Sequence, residues 1–173
     1  APLAPAEKQT QLHAGGYRPA GFVWNAWAKG YKLGVQASSD HISTHTSYAC
    51  VLAESLTREG LMEGMRRRHA YAANSNILLD FRASGGRLQG DLARADDAPE
   101  FTAIIAGTAP VKRVSLIRDN RYIYSMEPGA ETCTLRYRDT SSEPGEHYYY
   151  VRVDQSDGRS AWSSPIWFTR AGP

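Results

Sequence analysis

From residue 76 to residue 169 the chain carries a series of short runs in which apolar positions alternate with polar ones or stand together. NILLDFR, FTAIIAG, VKRVSLIRD, RYIYS, TCTLRYRD, YYYVRVDQ and SPIWFT have the length and residue types of strands, and GG, DN, EPG, SEPG and SDG turn signals separate them. Successive strands with no helix between them predict an antiparallel β-sandwich over residues 76–173. Asp119-Asn120 and Asp157-Gly158 are the best hairpin turns. In HYYYVRVDQ the inward set is Tyr149, Val151 and Val153, because the opposite parity buries Arg152.

Upstream of residue 76 the periodicity is different. GFVWNAWAKG places Trp24, Trp27 and Tyr31 at helical spacing, with Gly30 available to stop the helix, and core packing is the plainer role for these rings. LGVQA suits a buried strand that ends at SSDH. SLTREGLMEGMRRRHAY predicts a second helix: Thr57 is its N-cap and Glu59 suits its positive end. Leu61, Met62 and Met65 form an apolar stripe there, and Arg66 to His69 complement the negative end. Residues 1–20 have no pattern and are read as an irregular leader.

A chain of 173 residues, 42% of them hydrophobic, can bury a full core. Twenty basic and eighteen acidic residues leave a formal charge of +2, too small to point to nucleic acid or an anionic membrane. No apolar run approaches the roughly twenty residues of a membrane helix. APLAPAEKQTQ has neither the regions of a signal peptide nor an initiating Met, so the chain is expected to be cut from something longer. Cys50 and Cys133 lie in strand-like runs and are read as free thiols. There is no G-x-S-x-G elbow, phosphate-cradling glycine loop or CxxC pair.

The stretch SSDHISTHTSYAC holds the most suggestive chemistry. Asp40 and His41 offer an oxygen and a nitrogen donor of the kinds that hold divalent metal, and such an ion activates water. Two ligands do not make a site, and Ile42, Ser43 and Thr44 disfavour a helical chelate between His41 and His45. The bland alternative is a polar loop in which Asp40, Ser43 or Thr44 satisfies backbone groups. A triad of Asp40, His45 and Ser47 is rejected, since one short loop cannot orient all three. Arg66 to Arg68 with His69 suit phosphate, or more plainly a helix end facing water.

Beyond spacing, GFVWNAWAKGYKLGVQASSDHISTHTSYA, TREGLMEGMRRRHAYAA, NILLDFR and YYYVRVDQSDGRSAWSSPIW resemble the C-terminal end of the bacterial domain-of-unknown-function 3604 family. That family is related to the polymerase-and-histidinol-phosphatase (PHP) metallohydrolases. The resemblance implies an α+β chain: residues 21–75 as the C-terminal portion of a distorted α/β, PHP-like barrel, followed over 76–173 by an antiparallel, fibronectin- or immunoglobulin-like β-sandwich. It implies Asp40 and His41 as metal ligands, His45 as a catalytic or supporting group, and Arg68 and His69 as substrate contacts. The cofactors are divalent zinc, manganese or iron, held only when the site is complete. The early H-x-H element of such enzymes is not in this chain, and Ser75 in AANSN stands where relatives carry a carboxylate.

The expected function is therefore a fragment of a hydrolase of phosphoesters or related esters, inactive without the remaining N-terminal part of the parent protein. Its partners are that part and a small anionic or ester substrate, with no nucleic acid and no membrane, and the resemblance leans toward a periplasmic or secreted location. The alternative is a non-catalytic binding or structural module of a larger exported protein, with Tyr148, Tyr150 and Trp162 as exposed aromatics that dock carbohydrate or protein.

Overall fold

The computed structural model describes residues 21–39, 46–95 and 97–171. Strands β1 (Tyr48–Val51), β2 (Ala70–Ala73), β5 (Leu92–Ala95), β7 (Val111–Arg118), β8 (Arg121–Met126), β10 (Gly145–Gln155), β11 (Ser160–Ser163) and β12 (Ile166–Arg170) form an eight-stranded sheet. A second sheet takes β3 (Leu78–Ala83), β4 (Arg87–Leu88), β6 (Glu100–Ala106) and β9 (Thr132–Arg138) in the order β4-β3-β6-β9. Helices α1 (Val23–Ala28) and α2 (Arg58–Arg66) and a 3-10 turn at Ser84–Gly86 complete the described elements.

The two sheets pack face to face as a β-sandwich. Period-2 alternation puts Leu79, Phe81 and Ala83 of β3 on the same side as Phe101, Ala103 and Ile105 of β6, all buried. They meet Val114, Leu116, Tyr149, Val151, Val153, Ile166 and Phe168 from the larger sheet in one core. Phe81 and Phe101 stack with ring centroids 5.7 Å apart, and Phe101 lies 4.4 Å from Tyr149, so three rings bridge the layers. The inward set of β10 is the expected one, with Tyr149, Val151 and Val153 all fully buried.

Local signals in the turns behave as their residue types dictate. Asp119 and Asn120 both have positive φ, 48° and 62°, which makes the two-residue link from β7 to β8 a type I′ hairpin. Gly158, at φ 81°, turns β10 into β11. The side chain of Thr57 accepts from the Gly60 amide and caps α2 as expected.

The barrel expectation is corrected. Residues 48–73 add no parallel β/α unit: β1 pairs antiparallel with β2, and β2 pairs antiparallel with β11 through Ala72 opposite Trp162 and Ala73 opposite Ala161. The region upstream of residue 76 thus extends the sandwich's own sheet. LGVQA forms no strand, and runs instead across that sheet's outer face. The reason is that β10 is long enough to need two neighbours on one edge. β12 pairs with residues 145–149 and β11 with 152–154, and the chain breaks between them at Ser164-Pro165. The Val151 amide, left at the break, donates to the hydroxyl of Ser163 at 2.9 Å. β2 then continues the sheet beyond β11.

The apolar stripe of α2 faces away from the core. The helix's buried side is Gly64, where an added Cβ would sit 2.7 Å from the Leu52 carbonyl oxygen and 2.8 Å from Val51. Glycine lets the helix backbone lie on β1, and that rotates Leu61, Met62 and Met65 outward. In α1, Trp27 is buried, but Tyr31 lies past the helix end and is exposed.

Candidate functional site

The eight-stranded sheet is covered on both faces. On its outer face Tyr148 stands opposite Trp167, Tyr150 opposite Ile117, and Arg152 opposite Trp162. This row of rings needs a cover, and α1 with the segment after it supplies one. Trp27 packs with its ring centroid 4.8 Å from Tyr150 and 6.1 Å from Tyr148. Polar hooks hold the cover down. The Asn120 amide donates to the Trp24 carbonyl at 3.0 Å, Trp27 Nε1 to the Leu33 carbonyl at 2.9 Å, and the Val35 amide to Ser164 Oγ at 3.0 Å. Lys32 pairs with Glu146.

The cover does not close completely. Between α1, residues 34–36 and the strands lies a cleft of about 460 Å³, lined by Trp24, Trp27, Val35, Ile117, Tyr150 and Trp162 among others. Tyr150 is only 3% exposed, and its hydroxyl has no hydrogen-bond partner among the described residues. Burial pushes that hydroxyl well above the usual phenol range, with Tyr148 and Tyr122 adding to the shift. At the polar rim, Arg152 sits over Trp162 at 5.8 Å and is held by Asp154, through Nε at 3.1 Å and Nη2 at 3.0 Å. Ser160 donates to the same Asp154 oxygen at 2.8 Å.

Sequence-predicted residues occupy a second cleft, of about 610 Å³, whose lining includes Glu54, Arg67, His69, Arg82, Arg87 and Asp91. Helix α2 ends in a Schellman pattern: the Arg68 amide donates to the Met65 carbonyl and the His69 amide to the Gly64 carbonyl, both at 2.9 Å. Arg68 takes the left-handed position, φ 62°, that glycine usually fills. This turn drives His69 inward, where Nε2 lies 2.8 Å from Asp91 Oδ1, while Asp91 Oδ2 accepts from the Leu88 amide at 2.9 Å. Gly90, at φ 100°, allows the close approach, since a Cβ there would meet Arg68 backbone atoms at 2.4 Å.

The predicted substrate contacts therefore separate. His69 lines this cleft in a pair with Asp91, whereas Arg68 donates to the Gly90 carbonyl at 3.0 Å and lies over the Trp167 ring at 5.7 Å. Asp40, His41 and His45 lie outside the described residues. On either side of them, the Ser39 hydroxyl accepts from the Thr46 and Ser47 amides and donates to the Ser47 carbonyl. Among the described residues no three His, Cys, Asp or Glu side chains are grouped to hold a metal. Tyr148, Tyr150 and Trp162 are not free platforms: Tyr150 is buried beneath Trp27, and the other two are half-covered.

Sequence reasoning missed Asp91, Asp139 and the cleft itself. Asp139 is fully buried and accepts from Arg118 Nη1 at 2.6 Å, Ser141 Oγ at 2.7 Å, Tyr149 Oη at 3.0 Å and the Ser141 amide at 3.1 Å. A tyrosine beside an acidic turn was its available signal. Cys50 and Cys133 are free thiols, and burial raises both. No described helix is long and apolar enough to cross a membrane.

No family model matches the chain. It is similar to an uncharacterised protein of Chlamydia pneumoniae, 27% identical over 146 residues, which cover 75% of this chain and 24% of that protein. An uncharacterised protein of Chlamydia trachomatis is 25% identical over the same shares. The chain thus spans about a quarter of the length of the curated relatives it matches. Among solved structures, the fibronectin(III)-like modules of Clostridium thermocellum CbhA align with a TM-score of 0.35 at 14% identity, over 53% of this chain and 95% of theirs. A lytic polysaccharide monooxygenase of Jonesia denitrificans aligns with a TM-score of 0.38 at 13% identity, over 69% of this chain and 76% of its own.

Proposed function

We propose that this chain is a non-catalytic β-sandwich module of a longer protein, and that α2 is the surface on which another part of that protein rests. The observation that carries this is the outward stripe of α2. Leu61, Met62 and Met65 are 36%, 41% and 56% exposed, and Leu56 just before the helix is 94% exposed. Charged Glu59, Glu63, Arg66 and Arg67 surround the stripe, with Arg67 Nε paired to Glu63 at 2.7 Å. An apolar strip with a charged rim has the make-up of an interface, and an isolated domain gains nothing by exposing it. The length of the relatives, about four times that of the matched region, supports this reading.

The test combines Met62→Glu and Met65→Glu in one double variant. In the 173-residue chain it leaves the melting temperature within about 2 °C of the parent, because both side chains already face water. In a full-length protein it exposes the α2 region to limited proteolysis and lowers stability. An unchanged full-length protein refutes the docking role.

A second reading, a metal-dependent hydrolase fragment, is supported by the approach of Ser39 to Thr46 and Ser47, the described residues that flank positions 40–45. Ser39 Oγ accepts from the Thr46 and Ser47 amides, so the described residues on either side of Asp40, His41 and His45 lie close together. Its test is metal content of a full-length protein before and after Asp40→Ala and His41→Ala. Equal content in all three rejects the ligand assignment.

A further inference from the structure

We infer that the cleft between the end of α2 and the β3–β4 hairpin binds a small oxyanion, a phosphate or a carboxylate, on the free ring nitrogen of His69 and the guanidinium groups of Arg67, Arg82 and Arg87. The inference rests on neither the docking role of α2 nor the assignment of positions 40–45. Three features of the cleft define the ligand.

The first is an open hydrogen-bonding atom on a buried ring. The His69 side chain is 10% exposed and lines the cleft. A carboxylate only accepts, and Asp91 Oδ2 already takes the Leu88 amide, so the 2.8 Å contact of Oδ1 with Nε2 places a hydrogen on Nε2. Nδ1 remains. It has no partner among the described residues, and unlike the hydroxyl of Tyr150 it is not sealed from solvent, so a ligand in the cleft that the ring lines can reach it.

The second is the set of donors around that atom. Arg67 gives its Nε to Glu63 at 2.7 Å, and Arg82 gives its Nε to both oxygens of Asp80, at 2.9 and 3.0 Å. These bonds hold the two side chains and leave their Nη groups without hydrogen bonds among the described residues, and the Arg87 guanidinium makes none there at all. Arg67 follows α2, Arg82 stands on β3 and Arg87 opens β4, so the three line the cleft from separate elements. A guanidinium matches two oxygens of a carboxylate or phosphate in a flat fork, and such charge-assisted bonds are about twice as strong as neutral ones.

The third is sign. Glu54 and Asp91 are the acids of the lining, and both oxygens of Asp91 are engaged by His69 and Leu88. Three guanidinium groups against one uncommitted carboxylate repel a cation and draw in an anion. Nδ1 fits the same ligand. It donates in the charged ring, where any oxyanion accepts, and accepts in the neutral ring, where a phosphate that keeps a proton donates. A cleft of about 610 Å³ takes the anionic group together with a small molecule that carries it.

The experiment titrates the 173-residue chain with sodium phosphate, with sodium acetate and, for ionic strength alone, with sodium chloride, following the ring resonances of His69. Phosphate or acetate is expected to give saturable shifts that chloride does not. Shifts with phosphate alone assign the cleft to a phosphate, with acetate alone to a carboxylate, and with both to their shared chemistry; each supports the inference. In the double variant Arg82→Gln and Arg87→Gln, whose side chains are exposed, affinity falls about tenfold or more while the melting temperature stays within about 2 °C of the parent. Glu54→Gln, which removes the uncommitted acid, raises affinity about two- to fivefold. The inference is overturned if neither anion gives saturable shifts at tens of millimolar, if chloride gives the same shifts, or if the double variant binds as tightly as the parent. It is equally overturned if Glu54→Gln binds more weakly.

Discussion

Replacing Tyr149 by Phe removes one oxygen from the centre of the sandwich and leaves the ring. The ring keeps its 4.4 Å contact with Phe101, so the packing loss is small. What disappears is the donor 3.0 Å from Asp139 Oδ2, in a carboxylate with no solvent exposure. Hydrogen bonds to charged groups contribute about 1.5–3 kcal/mol. Arg118 and Ser141 still donate to Asp139, so the carboxylate is not orphaned and the loss lies near the lower end, about 1.5–2 kcal/mol. For a chain of this size that is a fall of about 3–8 °C in melting temperature.

The same substitution has a pH signature. Burial alone raises the Asp139 carboxyl, but hydrogen bonds from Ser141 and Tyr149 and the Arg118 charge outweigh it and hold the group below the usual carboxylate range. A folded-state value below the unfolded one stabilises the protein above the unfolded value, about 3.9, and that contribution is lost as pH falls through the folded value. Tyr149→Phe removes part of the depression. The difference between variant and parent in urea melts is therefore full at pH 7 and shrinks below about pH 4. A variant as stable as the parent at pH 7, or a difference constant down to pH 3, refutes the assignment of Asp139 as a buried, donor-held carboxylate.

Two further substitutions test other joints. Gly90→Ala forces a Cβ to 2.4 Å from the Arg68 backbone at a positive φ, and is expected to destabilise by more than about 2 kcal/mol in urea melts, with the His69 ring resonances shifted by loss of Asp91. Ser163→Ala strips the Val151 amide of its partner where β11 gives way to β12, with an expected loss of about 1–3 kcal/mol and faster hydrogen exchange at residue 151.

What could be read from the sequence was whatever local chemistry decides. The parity of β10 was legible because only one choice keeps Arg152 off the core, and the Asp119-Asn120 turn because both residue types tolerate left-handed backbone. β2 was not legible. Ala70 to Ala73 are buried on both faces, so AYAA shows no alternation, and its partner Ser160 to Ser163 lies about ninety residues away. The apolar stripe of α2 was legible, but its direction was not, since the glycine contact that turns it outward depends on the tertiary approach of Leu52. The dyad of His69 and Asp91 and the cleft beneath Trp27 likewise arise from pairing between segments distant in the chain.

The resemblance to PHP-like enzymes placed residues 21–75 in a barrel, whereas the structure uses them to extend one sheet and roof its outer face. Without them Ile117, Tyr150, Trp162 and Trp167 lose their cover and β11 loses its neighbour β2. The decisive measurement is thus thermal and urea unfolding of a fragment comprising residues 76–173 beside the whole chain. The expected result is a fragment that aggregates or unfolds without a cooperative transition. A fragment with a sharp transition and the stability of the whole chain contradicts the account, because it makes the upstream segment a separate unit after all.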